Sequence, residues 1–95
     1  MAEITEIAEL KNYLSITWDD EKTDLKLSHI IDNAKNILAN YAGTSVDFSK
    51  GHIKQLLYDC CRYIYNDSYE DFKINFFGEL LALRTEFSVK ADNDE

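Results

Sequence analysis

The sequence predicts an all-α fold, a small bundle of about four helices followed by a short acidic C-terminal tail. The 95 residues contain no proline and three glycines, so few positions interrupt a helix. Apolar residues recur at helical spacing in four separate segments. A chain of this length forms one domain. We assign residues 1–88 to that domain and residues 89–95 to a disordered tail.

The first two predicted helices are separated by the stretch SITWDD. Apolar residues at helical spacing indicate a first helix over residues 4–14. Trp18, in the connection, is expected to tuck into the bundle. The second helix begins near Asp19 or Asp20 and reaches Tyr41, and the acidic residues in its first turns complement the helix dipole. Gly43 then stands where a C-terminal cap requires a positive φ.

Two further helices occupy the second half of the chain. Ser49 is a candidate N-terminal cap for the third helix, which extends to about Asn66. The fourth begins after Ser68 and continues to about Phe87. Gly78 in its middle costs about 1 kcal/mol relative to alanine, and it indicates a kink, a close backbone approach or an accident of sequence. The final residues, SVKADNDE, are polar and acidic and form the predicted tail.

The net charge of −8 argues against direct binding of nucleic acid. Ten basic residues are scattered among eighteen acidic ones, whereas a duplex is bound by clustered lysine and arginine. The surface is expected to repel nucleic acid, although solubility is an alternative reason for its charge. The acidic N-terminus does not resemble a signal peptide, and no apolar run is long enough to cross a bilayer.

No group of residues predicts catalysis, a metal site or a cofactor. His29 and His52 have no partner at a metal-ligand or acid–base spacing. The two cysteines, Cys60 and Cys61, are adjacent, so they are interpreted as packing residues of the third helix and not as a disulfide or redox pair. The acidic cluster at the start of the second helix lacks the calcium-loop spacing. We therefore expect neither an enzyme nor a bound cofactor.

The third helix carries a candidate contact with another chain. Tyr58 and Tyr65 are seven residues apart on a face different from the apolar core stripe, and Arg62 lies between them. Tyrosine and arginine are enriched at the buried centres of protein interfaces. The alternative is that both tyrosines lie on the domain surface or pack on a neighbouring helix, with their hydroxyls in water.

The fourth helix has two apolar stripes, whereas a surface helix normally has one. The first stripe consists of Tyr69, Phe72, Phe76, Leu80, Leu83 and Phe87. Ile74, Phe77 and Leu81 form the second, well rotated from the first. Either the first helix covers the second stripe or a neighbouring subunit does. The predicted interface residues are Tyr58, Arg62, Tyr65, Ile74, Phe77 and Leu81.

Two long stretches resemble the head–tail connector, or DNA-packaging adaptor, family of tailed bacteriophages. LKNYLSITWDDEKTDLKLSHIIDNAKNILANYAG is similar to the family's opening, in which a short helix and an acidic turn precede a long helix ending in an aromatic residue and a glycine. LLYDCCRYIYNDSYEDFKINFFGELLALR is similar to the family's final pair of helices. The matching positions are Leu10, Lys11, Tyr13, Leu14, Asp19, Asp20, Asp24, Leu27, Ala34, Tyr41, Gly43, Leu80, Leu81, Leu83 and Arg84.

The resemblance implies a structural adaptor at the head–tail interface of the virion, present in the host cytoplasm during assembly. Such proteins form a ring below the portal, extend the DNA channel and dock the next neck or tail protein. The implied partners are other copies of the chain, the portal protein and a downstream neck or tail-completion protein, while DNA passes through without specific binding. The alternative function is a small helical regulatory module that binds and sequesters one protein partner.

Overall fold

The computed structural model describes residues 3–49 and 51–93, and their side chains through residue 87. Five helices make up the regular structure of these residues: α1 (Ile4–Tyr13), α2 (Glu21–Ala42), α3 (Gly51–Tyr65), α4 (Tyr69–Asn75) and α5 (Phe77–Asn93). The predicted all-α fold is confirmed, and the expected fourth helix is divided into α4 and α5. Within the described residues, no helix combines the length and the apolar character that crossing a membrane requires.

α2 is the central helix, because α1, α3 and α5 all pack against it. Its buried side contains the predicted apolar stripe: Leu27, Ile30, Ile31, Ala34 and Leu38. The helix begins after Asp20, whose carboxylate accepts a hydrogen bond from the backbone N–H of Lys22. It ends at Gly43, whose φ of 78° and hydrogen bond to the carbonyl oxygen of Ala39 confirm the predicted left-handed cap.

The connection between α1 and α2 buries Ile16 and exposes Trp18. The expectation that Trp18 tucks into the bundle is therefore wrong. Its indole N–H instead lies 3.4 Å from the hydroxyl oxygen of Thr23 at the surface. Ser15 has a φ of 60°, a left-handed conformation that turns the chain directly after α1. Ile16 follows this turn and takes the buried place in the connection.

α3 begins and ends close to its predicted bounds. Ser49, the predicted N-terminal cap, donates its hydroxyl to Asp47 Oδ1 at 2.7 Å. Residue 50, between Ser49 and the helix, lies outside the described residues, so the cap stays a prediction. After α3 the chain reverses at Asp67, which has a φ of 58°. This turn brings α4 back against α3.

The predicted fourth helix is interrupted at Phe76, where φ is −111° and ψ is 19°. Gly78 was expected to mark a kink, a close approach or an accident, and the break lies two residues before it. A Cβ atom added to Gly78 would meet nothing within 4 Å, so no close backbone approach occurs there. The N–H of Leu80 already donates to the carbonyl oxygen of Phe76 at 2.9 Å, so α5 begins its own hydrogen bonding at the break.

A cluster of aromatic rings holds the break against α3. Phe72 is fully buried and stacks on Phe76, with their ring centroids 4.8 Å apart. The ring centroid of Tyr63 on α3 lies 5.7 Å from that of Phe72 and 5.6 Å from that of Phe76, and the rings of Tyr63 and Phe76 meet edge to face. Aromatic pairs at such separations contribute about 0.5–1.5 kcal/mol beyond the burial of their area. The cluster thereby fixes where α5 starts relative to α3.

α5 continues to Asn93, past the predicted helix end at about Phe87. Residues 88–93 contain no proline or glycine, so the backbone has no strong helix breaker there. The disordered tail assigned to residues 89–95 is therefore not confirmed. Residues 94 and 95 lie outside the described residues.

The buried thiols of α3 should make the fold sensitive to alkali. Burial raises the pKa of Cys60 from 9.0 to about 12, and burial also raises the pKa of Cys61. The thiol contribution to stability is complete below pH 9.0 and is lost as the pH rises towards 12, because the unfolded chain releases these protons first.

Between these two pH values, we expect the free energy of unfolding of Cys60→Ala to fall less steeply with pH than that of the unmodified chain. The difference in slope should be about 1.4 kcal/mol per pH unit, because the variant lacks one of the two thiols that ionise on unfolding. Urea unfolding under reducing conditions, repeated at several pH values between the two limits, measures the slope. An unchanged slope would contradict the burial of the Cys60 thiol.

Candidate protein-interaction surface

The exposed apolar surface is concentrated on α4 and α5. Ile74, Phe77 and Leu81 are 74%, 66% and 54% exposed. Phe77 and Leu81 are four residues apart on α5, so they lie on one side of that helix. Ile74 lies on α4, three residues before Phe77 and across the break at Phe76. The other large apolar side chains that are exposed among the described residues belong to different elements: Ile4, Trp18 and Leu25. We call Ile74, Phe77 and Leu81 the ridge.

The ridge is not covered by α1. That helix packs on α2 and α3, so it lies on another side of the domain. α5 packs on α2 with a different side, on which Leu80 and Leu83 are buried. The alternative in which the first helix covers the second stripe is therefore wrong for the described residues. The ridge remains open in the isolated chain.

Tyr58, a predicted interface residue, belongs to the core. It is 7% exposed, and its ring centroid lies 6.2 Å from that of Tyr13 on α1. The prediction placed it on a free face because the helical pattern of α3 does not show that α1 packs there. Burial raises the pKa of Tyr58, and the nearby carboxylates of Glu9 and Glu6 raise it further. Within the described residues, its buried hydroxyl has no partner with hydrogen-bond geometry.

Arg62 and Tyr65, also predicted for the interface, are engaged with side chains of their own chain. Arg62 is exposed, and its guanidinium carbon lies 5.2 Å from the ring centroid of Tyr63 and 5.9 Å from that of Tyr13. Tyr65 is half-buried, and the Lys26 ammonium of α2 lies 5.1 Å from its ring centroid. Of the three predicted interface residues on α3, Tyr58 is therefore buried, while Arg62 and Tyr65 stay predictions.

A groove of about 310 Å³ separates α3 from α5. Its apolar floor consists of Ile53, Leu56, Phe76, Ala82 and Leu83. Its rim is polar and mostly acidic, consisting of His52, Gln55, Asp59, Glu79 and Glu86. Nε2 of His52 lies 3.6 Å from Oε2 of Glu86, so these two side chains connect α3 to α5 at the rim. We call this feature the groove.

Asp59 on the rim is held by two neighbouring donors. Tyr13 of α1 donates its hydroxyl to Asp59 Oδ1, and Gln55 donates its side-chain amide to the same oxygen at 3.2 Å. Burial of the Tyr13 ring, followed by this bond to the carboxylate, raises the pKa of Tyr13. Hydrogen bonds to a carboxylate are stronger than bonds between neutral groups, so the rim carboxylate has a defined position.

The groove was not predicted from the sequence. Positions 52, 55 and 59 on α3 and positions 79, 82 and 86 on α5 share the same i, i+3, i+7 spacing. On each helix, this spacing places the three positions along one side. It does not show that the two sides face each other, because their orientation is set by the packing of both helices on α2.

Chemical sites and known relatives offer no further guide to function. In the part of the chain that the structure describes, no group of three or more His, Cys, Asp and Glu side chains is arranged to hold a metal ion. No protein-family model, curated protein or solved structure matches the chain. The resemblance to the connector family therefore stays an expectation from the two quoted stretches.

We expect Tyr58→Phe to change the free energy of unfolding by less than about 1.5 kcal/mol, because the hydroxyl that it removes is buried beside Glu9 without a hydrogen bond of good geometry. Tyr58→Ala should lower it by about 3–5 kcal/mol, since it leaves a cavity beside Tyr13. Urea unfolding of both variants measures these changes. A Tyr58→Ala chain of normal stability that fails to assemble would restore Tyr58 to the interface.

Proposed function

We propose that the chain is a structural adaptor of a tailed-phage neck, which assembles as a ring below the portal, extends the DNA channel and docks the next neck or tail protein. The observation that carries the proposal is the ridge, where three large apolar side chains, Ile74, Phe77 and Leu81, are each more than half exposed within one short segment. An adaptor acts through protein contacts, and the ridge supplies a surface for them. Its partners are other copies, the portal and a downstream neck protein.

The ridge is an unfavourable feature for a chain that stays alone in water. Exposed apolar surface costs about 25 cal/mol per Å² relative to burial. Charged residues make up 29% of the sequence, so polar side chains are abundant elsewhere in the chain. Contiguous apolar patches on otherwise polar surfaces mark sites of interaction with proteins or membranes. Coverage by another protein chain therefore explains the ridge best.

Charge and sequence resemblance support the same proposal. A net charge of −8 opposes adhesion to DNA, which suits a channel wall along which DNA slides without specific binding. The stretches that resemble the connector family imply where the protein acts. This location is the head–tail interface of the virion, and assembly takes place in the host cytoplasm.

A second candidate function is a small helical regulatory module that sequesters one protein partner. The ridge supports it as well, because helices with an exposed apolar side also bind single partners in a groove. The two functions differ in stoichiometry. A ring subunit binds copies of itself, whereas a sequestering module binds one foreign chain.

We expect Phe77→Asp to weaken assembly about 30-fold, both alone and on the portal protein of the same phage, while the monomer stays folded. Burying a new carboxylate in an apolar contact is costly, whereas the same carboxylate is hydrated in the monomer. Leu25→Asp is the control, because Leu25 is 50% exposed on α2 and lies outside the ridge. Size-exclusion chromatography with light scattering measures the mass, and circular dichroism measures the fold.

A folded Phe77→Asp chain that assembles like the unmodified protein would contradict the ridge as a subunit contact. An unmodified chain that binds one foreign protein and never a second copy would favour the sequestering module.

A further inference from the structure

The groove and the ridge lie on opposite sides of α5. Glu79, Ala82 and Glu86 line the groove. At 100° per residue, these positions face about 150° away from the ridge positions on the same helix. Two different patches on opposite sides of a subunit let copies join head to tail, whereas a two-fold dimer places one patch against itself.

The groove has the size and the lining to receive apolar side chains. Its floor is apolar on both walls, with Leu56 contributed by α3 and Leu83 by α5. Its volume of about 310 Å³ is at the small end of ligand pockets, so it accommodates inserted side chains and not a whole helix. Large side chains that fill such pockets are the usual anchors of protein interfaces. Phe77, the largest side chain of the ridge, is such an anchor.

Between Phe77 and Phe87, the charges of α5 are separated by side. Glu79 and Glu86 stand on the rim of the groove. Arg84 is three residues after Leu81 and seven after Phe77, so the cation of this segment is on the ridge side. A ridge seated in the groove of another copy sets a cation against an acidic rim. Such complementarity fixes the register of an interface and disfavours other partners.

We infer that the groove of one copy receives the ridge of a second copy, so that this chain associates head to tail. The inference rests on the proposed function, in which copies form a ring, and it identifies the two surfaces that meet. Each added copy brings a free ridge and a free groove. Association therefore continues until the ring closes.

Two variants with one damaged surface each test the inference by complementation. Phe77→Asp damages the ridge and leaves the groove intact. Ala82→Arg fills the groove with a long side chain and leaves the ridge intact, and the exposed position in a helix tolerates arginine well. Ala8→Arg, at an exposed alanine of α1, is the matched control for the second change.

We expect Phe77→Asp and Ala82→Arg each to self-associate about 30-fold more weakly than the unmodified chain, the usual effect of losing an interface anchor. Ala8→Arg should associate like the unmodified chain. An equimolar mixture of the first two variants should form a 1:1 dimer and nothing larger, because the mixture retains one intact ridge and one intact groove per pair. Sedimentation equilibrium measures all these masses.

A mixture that stays monomeric under conditions in which the unmodified chain associates overturns the inference. An Ala82→Arg chain that associates like the unmodified protein also overturns it, since the ridge then docks elsewhere. This second result leaves the proposed ring function standing. An unmodified chain that never self-associates, either alone or on the portal, removes both the ring function and the head-to-tail contact.

Discussion

The fold depends on the apolar side of α2, which three other helices share. α1, α3 and α5 each bury one side against it, and the buried residues of all these helices form one cluster. A chain of 95 residues can bury only a modest core. Among the described residues, every helix is already used in this packing or in the contacts of α4, so none is left to cover the outer side of α5. The ridge is exposed because no further helix in this part of the chain covers it.

The break at Phe76 decides which apolar side chains go inside. Phe76 packs on Tyr63 and Phe72, whereas the next residue, Phe77, is exposed. α4, before the break, packs on α3, and α5, after it, packs on α2. Phe76 lines the groove and Phe77 belongs to the ridge, so both candidate contact surfaces adjoin the break.

Features that depend on neighbouring residues could be predicted from the sequence, and features that depend on distant packing could not. The left-handed cap at Gly43 follows from the chemistry of one turn, and the ridge follows from the spacing of one segment. Helical periodicity does not show that α1 lies over Tyr58, nor that Ile16 displaces Trp18 from the core. The groove was missed for the same reason, because it exists only between two helices whose positions are set by a third.

Native mass spectrometry of the unmodified chain, alone and with the portal protein that the proposed function implies, tests most directly whether copies cover the ridge. We predict a closed oligomer with one defined subunit number, formed alone or on the portal, because a head-to-tail contact repeats until it closes. A chain that stays monomeric in both samples at every concentration would contradict this, and the exposed ridge would then need a different partner.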